Sequence, residues 1–323
     1  DGHLSILAIE EEINKNGIVN KGIIINVGEV VFNITSIIRK LQNIANTKIH
    51  NIYVSISNEK GYNTDEWEKL VLELASRGVK SHILDRMDCM ADSLMSAAEK
   101  EIGCLLIDSG ASCTSFILRT NNEPDIRGIV QLGGNNITKD LTYLELKYDD
   151  AEKLKTKLGS AKPDKLLRPN ARIILEKSTN VNEAKYTTPL KLSEMILDRV
   201  KDIYCRFLDP LKKQDKLSKP GRSIILVGGA SYLSNLPEWI SDQTGLSVKI
   251  EDKFSFAESP NYVNIYNAKY ACLISLLNNA TEDCRKKDEE LENTKKAKSS
   301  FWKKTKGLIE DGMTSIFGND QYN

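Results

Sequence analysis

The chain has 323 residues and carries 45 basic against 45 acidic side chains, a formal net charge of zero. At roughly 100–200 residues per domain that length gives two folding units or three, and 40% apolar with 28% charged residues is a globular rather than a disordered balance. The charge balance excludes a broadly basic nucleic-acid binder, and three histidines, none paired at metal-ligand spacing, point away from a zinc hydrolase or a His-based triad. In chain order, the first forty residues predict a strand over Leu4–Ile9, a polar turn at Asn14–Gly17 and a second apolar run from Gly22 to Val27. Val30, Ile34, Ile37, Ile38 and Leu41 then mark an amphipathic helix by their 3–4 spacing. Asn51–Ser57 alternates as a strand does, and a helix-start signal at Thr64–Trp67 leads into a helix over Trp67–Ser76 that ends at Gly78. Strand Val79–Leu84 and helix Cys89–Ala98 complete a β-α-β-α run, the pattern of a layered α/β fold.

Two strand-turn units follow, CLLIDSGASCT over Cys104–Thr114 and IILVGGASYL over Ile224–Leu233, each sending an apolar strand straight into a Gly-Ala-Ser turn. Between them VQLGGNNITKDL (Val130–Leu141) gives a strand, Gly133–Gly134 and a helix beginning at Ile137–Thr138. A glycine after a buried strand lets backbone N–H groups approach a phosphate, and ligands of α/β proteins gather at the carboxyl ends of strands. Asp108, at a strand end, is of the type that holds magnesium through water beside phosphates. The more polar middle predicts a charged helix over Asp149–Leu158, a strand over Arg172–Glu176, a long helix from Leu190 to Leu208, and a charged linker over Leu211–Pro220. Tyr262–Leu277 reads as an apolar closing helix, and Asn278–Lys298 as a flexible charged tether. The six cysteines form no CxxC pair, which suits reduced thiols of a cytoplasmic protein. No stretch approaches the ~18–20 apolar residues of a spanning helix, and nothing at the start reads as a signal peptide, so the body is expected to be soluble or held at a surface.

The succession DSGASCTSF (108–116), IVQLGGNNITKDL (129–141), IILVGGASYLSNL (224–236) and PNYVNIYNAKYACLISLL (260–277) resembles the cell-division protein FtsA, of the actin, Hsp70 and sugar-kinase superfamily. The start, DGHLSILA then KGIIINVGEVVFNITSIIRKL then HNIYVSIS, is similar to the first FtsA subdomain. The resemblance implies an α/β, actin-like (ribonuclease H-like) fold of two domains with a C-terminal amphipathic helix. It divides the chain into domain I over 1–98, with the 1C subdomain reduced to a loop near 58–63, subdomain 2A over 99–148 and 220–278, subdomain 2B over 149–219, a linker over 279–298 and a membrane helix over 299–318. It implies ATP with Mg2+ as cofactors, and as partners FtsZ (through 2B), further copies of the chain, anionic lipids and other divisome proteins, but no nucleic acid. The location implied is the cytoplasmic face of the membrane at the division septum.

Residue by residue, Asp108–Ser115 takes the place of the second phosphate loop, where Asp108, Gly110 and Thr114 match while Ser109, Ala111, Ser112, Cys113 and Ser115 depart. The cofactor candidates are therefore Asp108, Gly110, Ser112, Cys113, Thr114 and Gly134, with Gly228, Gly229 and Ala230 matching the adenosine loop and Asp108 the candidate for magnesium. Asp85 falls where actin-like relatives keep a water-orienting glutamate, with Arg86 in place of the usual proline, and it reads equally as a helix N-cap. The first phosphate loop is absent and the chain begins at Asp1, so either about twenty residues are missing upstream, as Asp1 favours, or this version lacks the loop. The function implied is a division adaptor that tethers the FtsZ ring to the membrane, binds ATP, polymerises and hydrolyses ATP weakly at most. An enzyme of the same fold, a kinase or productive ATPase, and a relative that binds partners without nucleotide stay open as alternatives.

On a wheel of 100° per residue, Phe301, Trp302, Leu308, Ile309, Met313, Ile316 and Phe317 share one half, with Lys303 and Lys304 on the other. From Lys295 to Asp311 stand six lysines against two acids, a local net of +4. A basic helix with one apolar face and an interfacial tryptophan is the pattern of a helix lying in a membrane surface. Replacing Trp302 and Leu308 with glutamate is expected to release the chain from anionic liposomes in co-sedimentation, and unchanged sedimentation contradicts the anchor.

Overall fold

The computed structural model describes residues 4–12, 17–20, 23–56, 64–175, 185–254, 257–258 and 267–285. Elements run in chain order β1 (Leu4–Ser5), β2 (Val19–Asn20), β3 (Ile23–Ile24), α1 (Val27–Ala45), β4 (Asn51–Ile56), α2 (Thr64–Ser76), β5 (Lys80–Asp85), α3 (Arg86–Leu94) and α4 (Ala97–Ile102). There follow β6 (Cys104–Ser109), β7 (Thr114–Thr120), β8 (Glu123–Val130), α5 (Gly134–Leu141), α6 (Tyr148–Leu158), β9 (Ile173–Ile174), β10 (Tyr186–Thr187) and α7 (Pro189–Lys213). The last are β11 (Ser223–Val227), α8 (Leu236–Thr244), β12 (Ser247–Ile250), β13 (Ala257–Glu258) and α9 (Ala271–Asn278). They fall into two compact units, residues 1–7, 55–62 and 84–279 in the larger and 8–54, 63–83 and 280–323 in the smaller.

The larger unit is built on a five-stranded sheet in the order β12-β11-β6-β7-β8. β12, β11 and β6 are parallel, and β7 and β8 return antiparallel. Every residue of β6 is buried, which is why its sequence is a continuous apolar run rather than an alternation. Leu105, Ile107, Ile224 and Leu226 share a core with Leu192, Ile196, Val200, Ile203 and Phe207 of α7. Leu106 and Ile225, which alternate with them, are equally closed to solvent. Phe116 stacks on Phe207 at 4.5 Å. The Tyr204 hydroxyl meets Ser109 Oγ at 2.6 Å, and burial pushes the Tyr204 pKa up.

Four expected boundaries move, three of them for a visible local reason. The helix expected over Cys89–Ala98 is two helices, because Ser96 forms a capping box with Glu99 and starts α4 afresh. The helix after Gly133–Gly134 begins at Gly134 rather than at Ile137, with the Asn136 carboxamide accepting from the Gly133 N–H at 3.0 Å. α7 continues through Pro210 to Lys213, since Leu211 and then Leu217 are both 2% exposed and extend the core into the expected linker. The closing helix is the shorter α9, preceded by a 3-10 turn over Ala268–Tyr270.

In the smaller unit, β2 and β3 form a hairpin and β4 pairs with β5. Ile24, Val31 of α1, and Leu70 and Leu74 of α2 form its core. The first residues of the charged stretch are held by side chains of this unit. Tyr53 Oη accepts from the N–H groups of Thr281 at 2.9 Å and Glu282 at 2.8 Å, and the Asn51 carboxamide donates to the Asp283 carbonyl at 3.0 Å. The Tyr53 ring stacks on His82 at 4.6 Å. The rest of the tether, the 1C loop near 58–63 and the membrane candidates Phe301–Phe317 lie outside the described residues. No described helix is long and apolar enough to cross a membrane.

Leu192→Ala leaves a cavity at the centre of the larger core, with an expected cost of about 2–5 kcal/mol. The reading is a lower urea midpoint at unchanged slope.

Candidate functional site

β6 and β11 run parallel and in register, so Val227 pairs with Asp108 and both chains turn at the same end of the sheet. Gly228 leaves β11 at φ +88°, and a Cβ there would lie 2.4 Å from the Ser109 carbonyl oxygen and 2.6 Å from Asp108 Oδ1. The turn after β6 is closed by the Gly110 N–H donating to the Cys113 carbonyl at 3.0 Å. Its carbonyls are used as well. Gly110 and Ala111 accept from the N–H groups of Gly134 and Asn135 at 3.0 and 2.8 Å, so the start of α5 is laid onto the turn. A Cβ on Gly133 would meet the Gly110 oxygen at 2.5 Å, which explains the glycine by close backbone approach.

Beside these turns lies a cavity of about 260 Å³ lined by Ala111, Gly134, Asn135 and Ile137, by Glu152, Lys155 and Thr156 of α6, and by Gly229, Ala230, Tyr232 and Leu233. Lys155 Nζ donates to Thr138 Oγ1 at 2.8 Å, to Glu152 Oε2 at 2.7 Å and to the Gly134 carbonyl at 3.1 Å. Thr138 also donates to Glu152. A volume just under the roughly 300–1,000 Å³ of drug-sized sites, with an apolar wall and one carboxylate-ammonium pair, suits a nucleoside. Glu152 can accept from ribose hydroxyls, and Tyr232 and Ile137 offer apolar faces to a base. Burial raises the Tyr232 pKa, so the ring stays an uncharged phenol.

The predicted residues divide into four groups. Gly134, Gly229 and Ala230 line the cavity. Gly228, Gly110 and Thr114 support it from behind, Thr114 by donating to the Leu132 carbonyl at 3.0 Å. Ser112 is exposed, and Cys113 is half-buried. Asp108 and Asp85 stand in a separate charged cluster of the same unit. The Asp108 carboxylate is 3.3 Å from Arg86 Nη1, and Arg86 Nη2 donates to Ser115 Oγ at 2.6 Å. Burial is the largest single effect and opposes the Arg86 charge, but Asp108, Cys272 and Cys113 together outweigh it, and the guanidinium is held above its ordinary range. Asp85 accepts from the Asp88 N–H at 2.9 Å as the N-cap of α3 and lies 3.5 Å from Arg127 Nη1. Arg127 in turn binds Asp88, which also meets Arg119.

Arg86 reaches Oδ2 of Asp108 and so competes for the carboxylate that was the candidate for a hydrated magnesium ion. No group of three potential metal ligands occurs among the described residues. All six cysteines are free thiols, and burial pushes those of Cys89, Cys104 and Cys272 up to about 11. Sequence reasoning missed Glu152, Lys155 and Thr156, although their i, i+3, i+4 spacing on a predicted helix marks one face. It also missed Tyr232.

The family model for "Cell division protein FtsA" matches residues 105–275. The FtsA of Streptococcus pneumoniae serotype 2 is 33% identical over 188 residues, covering 58% of this chain and 39% of that protein. That of Bacillus subtilis is 26% identical over 192 residues, covering 59% and 41%. The chain thus spans about two fifths of the length of these curated relatives. Among solved structures, MreB5 of Spiroplasma citri bound to ADP superposes with a TM-score of 0.60 at 16% identity, over 80% of this chain and 76% of that one. A PilM-PilN type IV pilus biogenesis complex gives 0.55 at 13%, over 84% and 91%. The two likenesses establish an actin-like fold.

Gly228 has both a left-handed φ and no room for a methyl group. Gly228→Ala is therefore expected to lower stability by at least about 1 kcal/mol, read in urea or thermal unfolding.

Proposed function

The chain belongs to the cell division protein FtsA family, and from that premise we propose that it is an actin-like adaptor of division that binds ATP in the cavity between the Gly229–Ala230 turn and α6. In this reading it joins FtsZ and other divisome proteins to the cytoplasmic face of the membrane. The segment around residues 149–219 contacts FtsZ, and the amphipathic stretch Phe301–Phe317 contacts anionic lipid. Bound nucleotide favours one form of the protein over another and so gates assembly with further copies of the chain.

The observation that carries the nucleotide part is the convergence of Gly134, Gly229 and Ala230, named from their motifs, on one cavity with Glu152 and Lys155. Binding rather than turnover is favoured, because phosphoryl transfer needs a positioned metal and a group to orient the nucleophile. The two carboxylates available for those roles, Asp108 and Asp85, face Arg86 and Arg127. One observation favours a relative that binds partners without nucleotide. The first two N–H groups of α5 donate to Gly110 and Ala111 and are not offered to a phosphate.

A side chain on Gly229 separates the two readings, since a Cβ there points into open space. Gly229→Leu is expected to fill the cavity, to weaken ATP binding by about tenfold or more, and to leave the melting temperature unchanged. Binding that survives this variant places the nucleotide elsewhere. An absence of saturable binding by the unaltered chain supports the nucleotide-free relative.

A further inference from the structure

Of the described residues that line the cavity beside α6, Tyr232 is the one with an aromatic ring. It closes the 3-10 turn Gly229–Tyr232 that follows β11. Its hydroxyl has a fixed partner, since the Ala268 N–H donates to Tyr232 Oη at 2.9 Å and Ala268 is only 1% exposed. The Ala268 carbonyl in turn accepts from the Gly228 N–H at 2.9 Å, so both ends of the turn are tied to one buried residue. The Asp252 carboxylate faces the same hydroxyl. Tyr232 nevertheless remains 44% exposed. With the hydroxyl engaged, the open part is ring surface.

A bond at Oη fixes the direction of the side-chain axis and with it the χ1 rotamer, so the ring keeps its place at the cavity wall when the site is empty. Ile137, 4% exposed, lines the same cavity. Lys155 directs its three ammonium donors to Gly134, Thr138 and Glu152, so that group is not offered to a base. An aromatic face takes a base by stacking, whereas an aliphatic side chain of similar bulk gives apolar contact alone.

We infer that Tyr232 is the residue by which the cavity selects a ligand carrying an aromatic base, the base stacking on a ring whose place is set in advance by the bond to Ala268. The inference rests on the nucleotide reading above and deepens it by naming what recognises the base. Because the ring is already in place, little side-chain freedom is lost on binding.

The experiment is a titration of the full chain with 2-aminopurine riboside triphosphate, a nucleotide whose base fluorescence falls when the base stacks on an aromatic ring. The unaltered chain is expected to bind it saturably with a fall in that fluorescence. Tyr232→Leu and Tyr232→Phe both remove the acceptor of the Ala268 N–H, so they differ from each other in the ring alone. Tyr232→Leu is expected to bind about tenfold or more weakly and to lose the fall in fluorescence, while Tyr232→Phe keeps it and binds within about fivefold of the unaltered chain. A Tyr232→Leu variant with unchanged affinity overturns the inference while leaving the nucleotide reading intact. So does a Tyr232→Phe variant as weak as Tyr232→Leu. Saturable binding by the unaltered chain in calorimetry, with no change in base fluorescence, overturns the inference whether or not the variants fold. Absence of saturable binding by the unaltered chain overturns the nucleotide reading and this inference with it.

Discussion

The larger unit depends on how closely two backbones approach at the end of its sheet. β6 and β11 run side by side, and the turn at Gly228 presses on the Ser109 carbonyl and the Asp108 carboxylate with no space for a methyl group. The start of α5 is pinned to the next turn by two backbone hydrogen bonds, at a glycine that also has no room for a Cβ. These contacts set the position of α5, against which α6 and α7 pack through Leu141, Ala151, Leu154, Leu192 and Ile196. The cavity is what remains between the turn after β11 and α6 once those contacts are made. The glycines therefore shape the site more by bringing chain segments together than by offering N–H groups to a ligand.

Electrostatics adds a second constraint. Asp85, Asp88, Asp92, Arg119 and Arg127 form one mesh of ion pairs between the start of α3 and strands β7 and β8, and Arg86 pairs separately with Asp108 of β6. In a partly buried setting, removing one member leaves another unpaired at considerable cost. Such pairing steadies the edge of the sheet, and it engages the carboxylates that a metal-dependent phosphoryl-transfer site would need free. The actin-like fold is thus shared with distant neighbours, while the strand-end carboxylates Asp108 and Asp85 both face guanidinium groups.

Much of this was legible in the sequence, for identifiable reasons. Strands buried on both faces announce themselves as unbroken apolar runs, as CLLI and IILV do, and the glycine turns that follow are fixed by backbone geometry. Gly134, Gly229 and Ala230, singled out from those turns and from the family resemblance, all line one cavity. Less legible were features that depend on a partner distant in the chain. Nothing local told that Arg86 would reach Asp108, 22 residues on, or that Lys155 would span Thr138 and Gly134. The extension of α7 beyond Pro210 was hidden in the same way, because a charged stretch conceals the two leucines that the core takes in.

The sequence by itself determined the layered α/β class, the family, the glycine turns and the amphipathic pattern of the terminal stretch, since each is written in local spacing and residue type. Tertiary structure alone decided which groups share a site and which charges cancel. A carboxylate has the same identity in any chain, but whether it is free for a metal depends on what the fold places a few ångströms away. At Asp108 the fold places a guanidinium.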